Sequence, residues 1–409
     1  MRDNYLEISK LTDQKEVFEL FKVVSANGGI LRFVGGAVRD ALKGIKNSDL
    51  NLVTDLSPEE LVEACSDAGF DTCPLGIKQS KTGVIIGNTQ VEVSSLSKYV
   101  NRDGVNELEF TDNWEADASR RDLTINAVYA DEKGNVFDYY NGIEDLEKGY
   151  VRFIGAAPNR IKEDYVRILR YFRFYSMYGL EEPNKKSLEA CIENCAGLKK
   201  VPMERIRNEL FKLIRTKNAP RAYRLMQSNG VLSYILPDAQ YIDDLEFFNL
   251  ATANKDFSDD GLVKMFILYR PNKALAENLA TRLKFSRREK QLFVALATED
   301  VPLDDFFNPN RLNKIIYEQG ADFAKAKLMT IAARFRTIAD NLWDVYDKIS
   351  QISEPVFPLK GKDIMDNAAV NNKRVGVLLK ELEQIWIDSD FSLTKEQLLS
   401  ELDNLKEVV

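Results

Sequence analysis

Four short stretches of this chain set charged residues at spacings that could hold an anion or a divalent cation. The first is Val34-Gly35-Gly36-Ala37-Val38-Arg39-Asp40. An apolar run ending in paired glycines lets backbone N–H groups approach an anion, and Arg39, one turn on, could add a charge-assisted contact to phosphate. A lone Gly-Gly is more often an ordinary strand–turn–helix joint. The second is Asp49-Leu50-Asn51. On a strand, positions i and i+2 share a face, so two carboxylates there would grip Mg²⁺ beside a triphosphate. Only Asp49 is a carboxylate; Asn51 offers a neutral carbonyl oxygen, and by itself the stretch reads as a strand end. The third is Arg120-Arg121-Asp122-Leu123-Thr124-Ile125-Asn126-Ala127. Adjacent arginines suit polyanions and Asp122 can orient Arg121, although a solvated helix start explains the same letters about as well. The fourth is Glu163-Asp164-Tyr165-Val166-Arg167, followed by Arg170 and Arg173. On a helix Asp164 and Arg167 share a face, as a surface ion pair also would.

The elements that position these residues divide the chain in two. Leu31–Val34 and Leu50–Val53 read as strands, and Ala37–Leu42 as a helix closed by Gly44. Ser57, with Pro58 at the first helical position and Glu60 two further on, opens another helix. Val84–Ile86 and Gln90–Val93 read as a hairpin turning at Gly87-Asn88, and Asn126–Ala130 pairs with Asn135–Tyr139. Beyond Arg160, helix follows helix: Glu163–Tyr178, Lys185–Glu193, Met203–Arg215, Ala219–Asn229 and Leu262–Leu268 all carry apolar residues at three-and-four spacing. A proline-containing joint falls at Glu354–Pro358, and Lys395–Lys406 forms a charged last helix.

Composition narrows the chemistry. The 409 residues, 44% hydrophobic and 29% charged, suit a soluble protein of two to four domains at ~150 residues each. No apolar run reaches the ~18 residues of a membrane span, and the N-terminus lacks the order of a secretory signal. Cys65, Cys73, Cys191 and Cys195 form no CxxC pair, so neither zinc nor a disulfide framework is expected and the cytoplasm is. The net charge of −8 argues against indiscriminate nucleic-acid binding, though a basic groove can sit on an acidic body. The chain has no histidine, which removes histidine triads, histidine-ligated metals and the HD-type phosphohydrolase site.

Taken in order, GGAVRD, DLN, RRDLTINA, EDYVRILRYFRF and GLKKVPMERIRNEL closely resemble the successive motifs of the class II tRNA nucleotidyltransferases, a family that includes bacterial poly(A) polymerases. The resemblance covers roughly residues 25–235. It implies an α+β fold: an N-terminal nucleotidyltransferase (polymerase beta-like) α/β head over residues 1–155, a helical neck for base recognition over 156–235, and a helical body and tail for tRNA over 236–409. By resemblance, Gly35, Gly36 and Arg39 face the triphosphate. Asp49, with Asn51, holds Mg²⁺ and helps activate the tRNA 3′-hydroxyl for attack on the α-phosphate. Arg121, Asp122 and Asn126 engage sugar and phosphates, and Asp164 and Arg167, with Arg170 beside them, present donors and acceptors to the base of CTP or ATP. No DNA or membrane partner is implied.

The chain departs from the family pattern at several positions. Asn51 stands where a second metal-binding Asp is usual, and Ser97 where an arginine follows the strand Val91-Glu92-Val93. Lys78-Gln79-Ser80 replaces Lys-His-Gly, Val105 ends an Asp-Gly-Arg, and Pro202 replaces a serine. Glu92 could supply a compensating carboxylate. The leading expectation is an enzyme adding all or part of CCA to tRNA. The alternatives are a catalytically impaired homologue that binds tRNA or nucleotide, and a poly(A) polymerase. The last is disfavoured by the missing arginine-rich segment between Asp71 and Ile86 and the missing basic tail.

Overall fold

The computed structural model describes residues 5–7, 9, 11–12, 15–45, 50–75, 81–102, 105–180, 182–253, 261–337, 340–367 and 372–407. The chain forms two compact units, Met1–Pro237 and Asp238–Val409. The first opens with helix α1 (Lys15–Ala26) and carries nine strands among the described residues. They are β1 (Leu31–Val34), β2 (Asn51–Thr54), β3 (Asp71–Pro74), β4 (Lys81–Ile86), β5 (Thr89–Ser95), β6 (Ser97–Arg102), β7 (Val105–Phe110), β8 (Val128–Ala130) and β9 (Val136–Asp138). Seven form one sheet in the order β3-β4-β5-β2-β1-β8-β9; β6 and β7 form a separate hairpin. Neighbours in the large sheet are antiparallel except β2 and β5, which run parallel with Asn51 beside Glu92.

Period-two alternation sorts the residues of β5. Val91, Val93 and Ser95 are buried in the core, which leaves Glu92 and Ser94 on the opposite face. Helices α2 (Gly36–Leu42) and α3 (Pro58–Asp67) follow β1 and β2. The capping box at Ser57 and Glu60 starts α3 as the sequence predicts. Helices α4 (Trp114–Ser119) and α5 (Gly142–Lys148) complete the sheet-bearing part. The core beneath α4 joins Val34, Val53, Leu96, Ala118, Ala127, Tyr129 and Ile154. Five helices follow: α6 (Ala157–Glu163), α7 (Val166–Tyr178), α8 (Lys185–Asn194), α9 (Met203–Ile214) and α10 (Ala219–Ser228).

One expected helix is two. The predicted run Glu163–Tyr178 breaks at Asp164, whose backbone is extended (φ −160°, ψ 104°), and α7 begins only at Val166. The Asp164 side chain accepts from the Val166 N–H at 3.3 Å, capping α7 instead of lying along it. Asp164 and Arg167 therefore do not share a helical face. The hairpin β6–β7 also goes beyond the sequence reading, because its strands are largely polar.

The second unit carries helices and no strand among its described residues. It runs through α11 (Ile242–Ala251), α12 (Gly261–Tyr269), α13 (Lys273–Arg282), α14 (Arg287–Thr298), α15 (Pro309–Gln319) and α16 (Ala321–Phe335). It ends with α17 (Asp340–Ile349), α18 (Gly361–Asn367), α19 (Asn372–Asp388) and α20 (Lys395–Glu407). Ile364, Leu378, Leu382, Trp386, Leu398 and Leu402 form the core of its last three helices, and Tyr317 of α15 packs edge-on against Trp386.

Candidate active site

A cavity of about 490 Å³ opens over the sheet of the first unit. Val34, Gly35, Gly36 and Arg39 line it from the β1–α2 turn, Asn51 and Leu52 from β2, Lys81 from β4, and Glu92 and Ser94 from β5. Tyr99 comes from β6, Arg120, Arg121, Asp122 and Asn126 from the segment after α4, and Arg167, Arg170 and Phe174 from α7. Of the residues singled out in the sequence, Gly35, Gly36, Arg39, Asn51, Glu92, Arg121, Asp122, Asn126, Arg167 and Arg170 thus share one wall. Asp49, Lys78, Gln79, Ser80, Asp103 and Gly104 lie outside the described residues.

The turn requires glycine at its first position. Gly35 has φ 65° and ψ −117°, and a Cβ there would lie 3.5 Å from the Asn126 carbonyl oxygen. Arg39 is buried and its guanidinium is largely spent on its neighbours. Nε and Nη2 donate to the two oxygens of Asp40 (2.9 and 3.1 Å), and Nη1 donates to Asn126 Oδ1. Tyr178 Oη donates to Asp40 in turn, and the Arg39 guanidinium lies over the rings of Phe174 and Tyr178 at 4.9 and 4.6 Å. Arg39 braces the glycine turn against α7 as much as it faces the cavity.

The paired arginines are aimed from below by Asp117, which the sequence reading did not single out. This carboxylate is fully buried. Oδ1 accepts from Arg120 Nε at 2.8 Å and from the Ser97 N–H at 3.2 Å; Oδ2 accepts from Arg121 Nη2 at 3.0 Å and Tyr129 Oη at 2.9 Å. Burial opposes the charge, but the two guanidiniums and the phenol outweigh it and hold its pKa below the usual carboxylate range. The same partners leave the Tyr129 phenol raised, mainly by burial. The signal for Asp117 was present, since it precedes Arg120 and Arg121 by three and four residues on a short helix. Asp122 is also buried and held below its usual range. Against the cost of burial it has Arg170 Nη2 at 2.9 Å, the Asn126 amide at 3.0 Å and the Leu123 N–H at 2.9 Å.

The helical part adds a second brace. Glu163 accepts from both Arg160 and Arg167, and Arg160 also donates to the carbonyls of Arg120 and Arg121. Arg167 Nη1 donates to the Arg160 carbonyl at 2.6 Å. Asp164 is not part of the cavity wall; Arg205 of α9 holds its two oxygens at 3.1 and 2.7 Å. Counted among the described residues, the wall carries six cations (Arg39, Lys81, Arg120, Arg121, Arg167, Arg170) against two carboxylates, Glu92 and Asp122. Such a wall suits a polyanion.

Comparison with known proteins decides the family. The chain is 33% identical over 395 residues to the CCA tRNA nucleotidyltransferase 1, mitochondrial, of Danio rerio, covering 94% of this chain and 89% of that protein. It belongs to the CCA tRNA nucleotidyltransferase family. The human protein of the same name is 33% identical, covering 90% of this chain and 86% of its own length. A CCA-adding enzyme of Staphylococcus saprophyticus is 28% identical, covering 85% and 87%. The Poly A polymerase head domain matches residues 31–152, and the Probable RNA and SrmB- binding site of polymerase A matches residues 182–242. The CCA-adding enzyme of Bacillus stearothermophilus in complex with CTP has the same fold, with a TM-score of 0.80 at 22% identity over 96% of this chain and 98% of that one. The Thermotoga maritima CCA-adding enzyme complexed with tRNA gives a TM-score of 0.61 at 17% identity, covering all of both chains. The α/β head and the helical remainder are thus those of this nucleotidyltransferase family.

Proposed function

We propose that this chain adds C and A residues to the 3′ end of tRNA, taking them from CTP and ATP without a nucleic-acid template. The observation that carries this reading is the cationic wall itself: Arg39 of α2, Lys81 of β4, Arg120 and Arg121 of the segment after α4, and Arg167 and Arg170 of α7 converge on one cavity beside the Gly35-Gly36 turn. Arg120, Arg121 and Arg170 take the triphosphate, braced by Asp117 and Asp122. Arg167 offers donors to the incoming base, and Asp164 offers acceptors once its pair with Arg205 opens.

The oxygen donors on the sheet side suit a hard divalent cation. Asn51 and Glu92 are register partners on the same wall, and Asp49 stands two residues before Asn51 in sequence. Magnesium bound by these residues would supply charge stabilisation at the transferring phosphate. The neutral Asn51 favours a second reading, a chain that binds nucleotide or tRNA but transfers slowly. Four thiols outside any disulfide suit a reducing compartment, and we place the chain in the cytoplasm.

The test is incorporation of labelled CTP and ATP into tRNA lacking its 3′ end, with Mg²⁺, for the natural chain and for Asp49→Ala and Asn51→Asp. The expected outcome is incorporation that Asp49→Ala lowers by more than a hundredfold, the scale of ~3 kcal/mol at the transition state. Incorporation only by Asn51→Asp would favour the binding reading for the natural chain. Failure of all forms to bind tRNA or nucleotide would sink both.

A further inference from the structure

Lys81 stands at the start of β4 and shares the cavity wall with Asn51, Glu92 and Ser94. Pairing of β4 with β5 sets Lys81 opposite Ser94 and Gly83 opposite Glu92, so all four positions lie on one face of the sheet. Gly83 puts no side chain between them. The Lys81 ammonium therefore crosses the diagonal and pairs with Glu92 Oε1. Both partners keep solvent contact, at 50% and 33% side-chain exposure, so burial does not lock the pair.

The neutral Asn51 gives this pair its consequence. As the register partner of Glu92, Asn51 leaves Glu92 as the one carboxylate on the sheet side of the wall among the described residues, and Lys81 cancels its charge. A divalent cation and a lysine ammonium compete for the same oxygens. A triphosphate, with several charges, is the stronger partner for the ammonium.

We propose that Lys81 is a phosphate-binding residue whose ammonium exchanges between Glu92 and the nucleotide's phosphates, so that nucleotide and metal are taken up together. The phosphates draw Lys81 away, and the bared Glu92 carboxylate becomes available to the metal. This rests on the reading of the cavity as a nucleotide site. Because the ammonium competes with a cation for Glu92 and attracts an anion, removing it acts with opposite sign on the two ligands: the metal alone binds better and the phosphates bind worse. A merely structural lysine would not split them.

The experiment uses the full chain and its Lys81→Met and Lys81→Gln variants, with folding checked by circular dichroism. Mn²⁺ binding without nucleotide is followed by electron paramagnetic resonance, and CTP binding in EDTA by calorimetry. Both variants should bind Mn²⁺ several-fold more tightly and CTP about tenfold more weakly, the scale of one charge-assisted hydrogen bond. Mn²⁺ binding that weakens or stays unchanged overturns the proposal, as does CTP binding that stays unchanged. A natural chain that binds no CTP, even with Mn²⁺, overturns the nucleotide reading of the cavity as well; CTP binding indifferent to Lys81 overturns the exchange alone.

Discussion

Asp122, in the wall of a positively charged cavity, and Asp117, buried behind that wall, are both negative. Burying a lone carboxylate costs several kcal/mol, and here guanidiniums and N–H groups offset that cost. They restrain Arg120, Arg121 and Arg170 before any ligand arrives, so less rotamer freedom remains to be lost on binding. Asp122 carries a pH prediction. Its folded pKa lies below the unfolded value of about 3.9, so its contribution is complete above about pH 5 and is lost as pH falls through the depressed folded value. Asp122→Asn should cost about 2 kcal/mol at pH 7. In thermal melts its deficit should stay constant from about pH 5 to 8 and shrink below about pH 4. A deficit that grew above pH 6 would contradict the assignment, since the chain has no histidine to titrate there. Arg121, Asp122 and Asn126 were legible in the sequence because they share one motif. Tyr129 was not: its hydroxyl reaches Asp117 across the core, and no local spacing encodes that partner.

At the scale of elements, the joint between α6 and α7 carries the second brace. Apolar periodicity runs on through Glu163–Tyr178, so the sequence hides the break. What stops the helix is polar and local, the Asp164 cap, together with a distant ion pair to Arg205. The Tyr165 ring explains one letter of the later motif, because a Cβ on Gly197 would fall 2.0 Å from it. Arg160 ties α6 to the arginine pair through the carbonyls of Arg120 and Arg121. Arg160→Met would leave those carbonyls and Glu163 short of a partner, at an expected cost of about 3 kcal/mol in urea unfolding. The KM for CTP should rise about tenfold as the arginine pair loosens, on the same scale of one charged contact. A variant with normal stability and a normal KM would show that the brace is idle. The hairpin β6–β7 was illegible for the opposite reason: its strands, SKYVNR and VNELEF, are largely polar and print no apolar alternation.

Across the whole molecule, charge and thiols are both segregated. The chain is net negative while the cavity wall is positive, so the wall attracts a polyanion that the net charge of the chain repels. Cys65, Cys191 and Cys195 are buried; burial pushes the Cys65 thiol up to about 11 and the Cys191 thiol well above its ordinary value. Only Cys73 is half-exposed. Native protein treated with a thiol reagent at pH 8 should label rapidly at Cys73 alone, and at all four cysteines in urea. Rapid native labelling of Cys191 would mean that α8 opens far more readily than its packing implies. The α/β-then-α plan was legible because strand and helix periods differ along the chain. The mixed character of the sheet was not. Its single parallel pair, β2 with β5, joins segments separated by a helix and a hairpin, and that pairing sets Asn51 beside Glu92. Hairpins zip quickly from their turns, whereas a crossover must first close a long loop. The cavity is therefore expected to complete late in folding, after the local pairs have formed. On that order, nucleotide should slow the chain's unfolding far more than it speeds its folding, and a nascent chain would have no use for nucleotide until its sheet had closed.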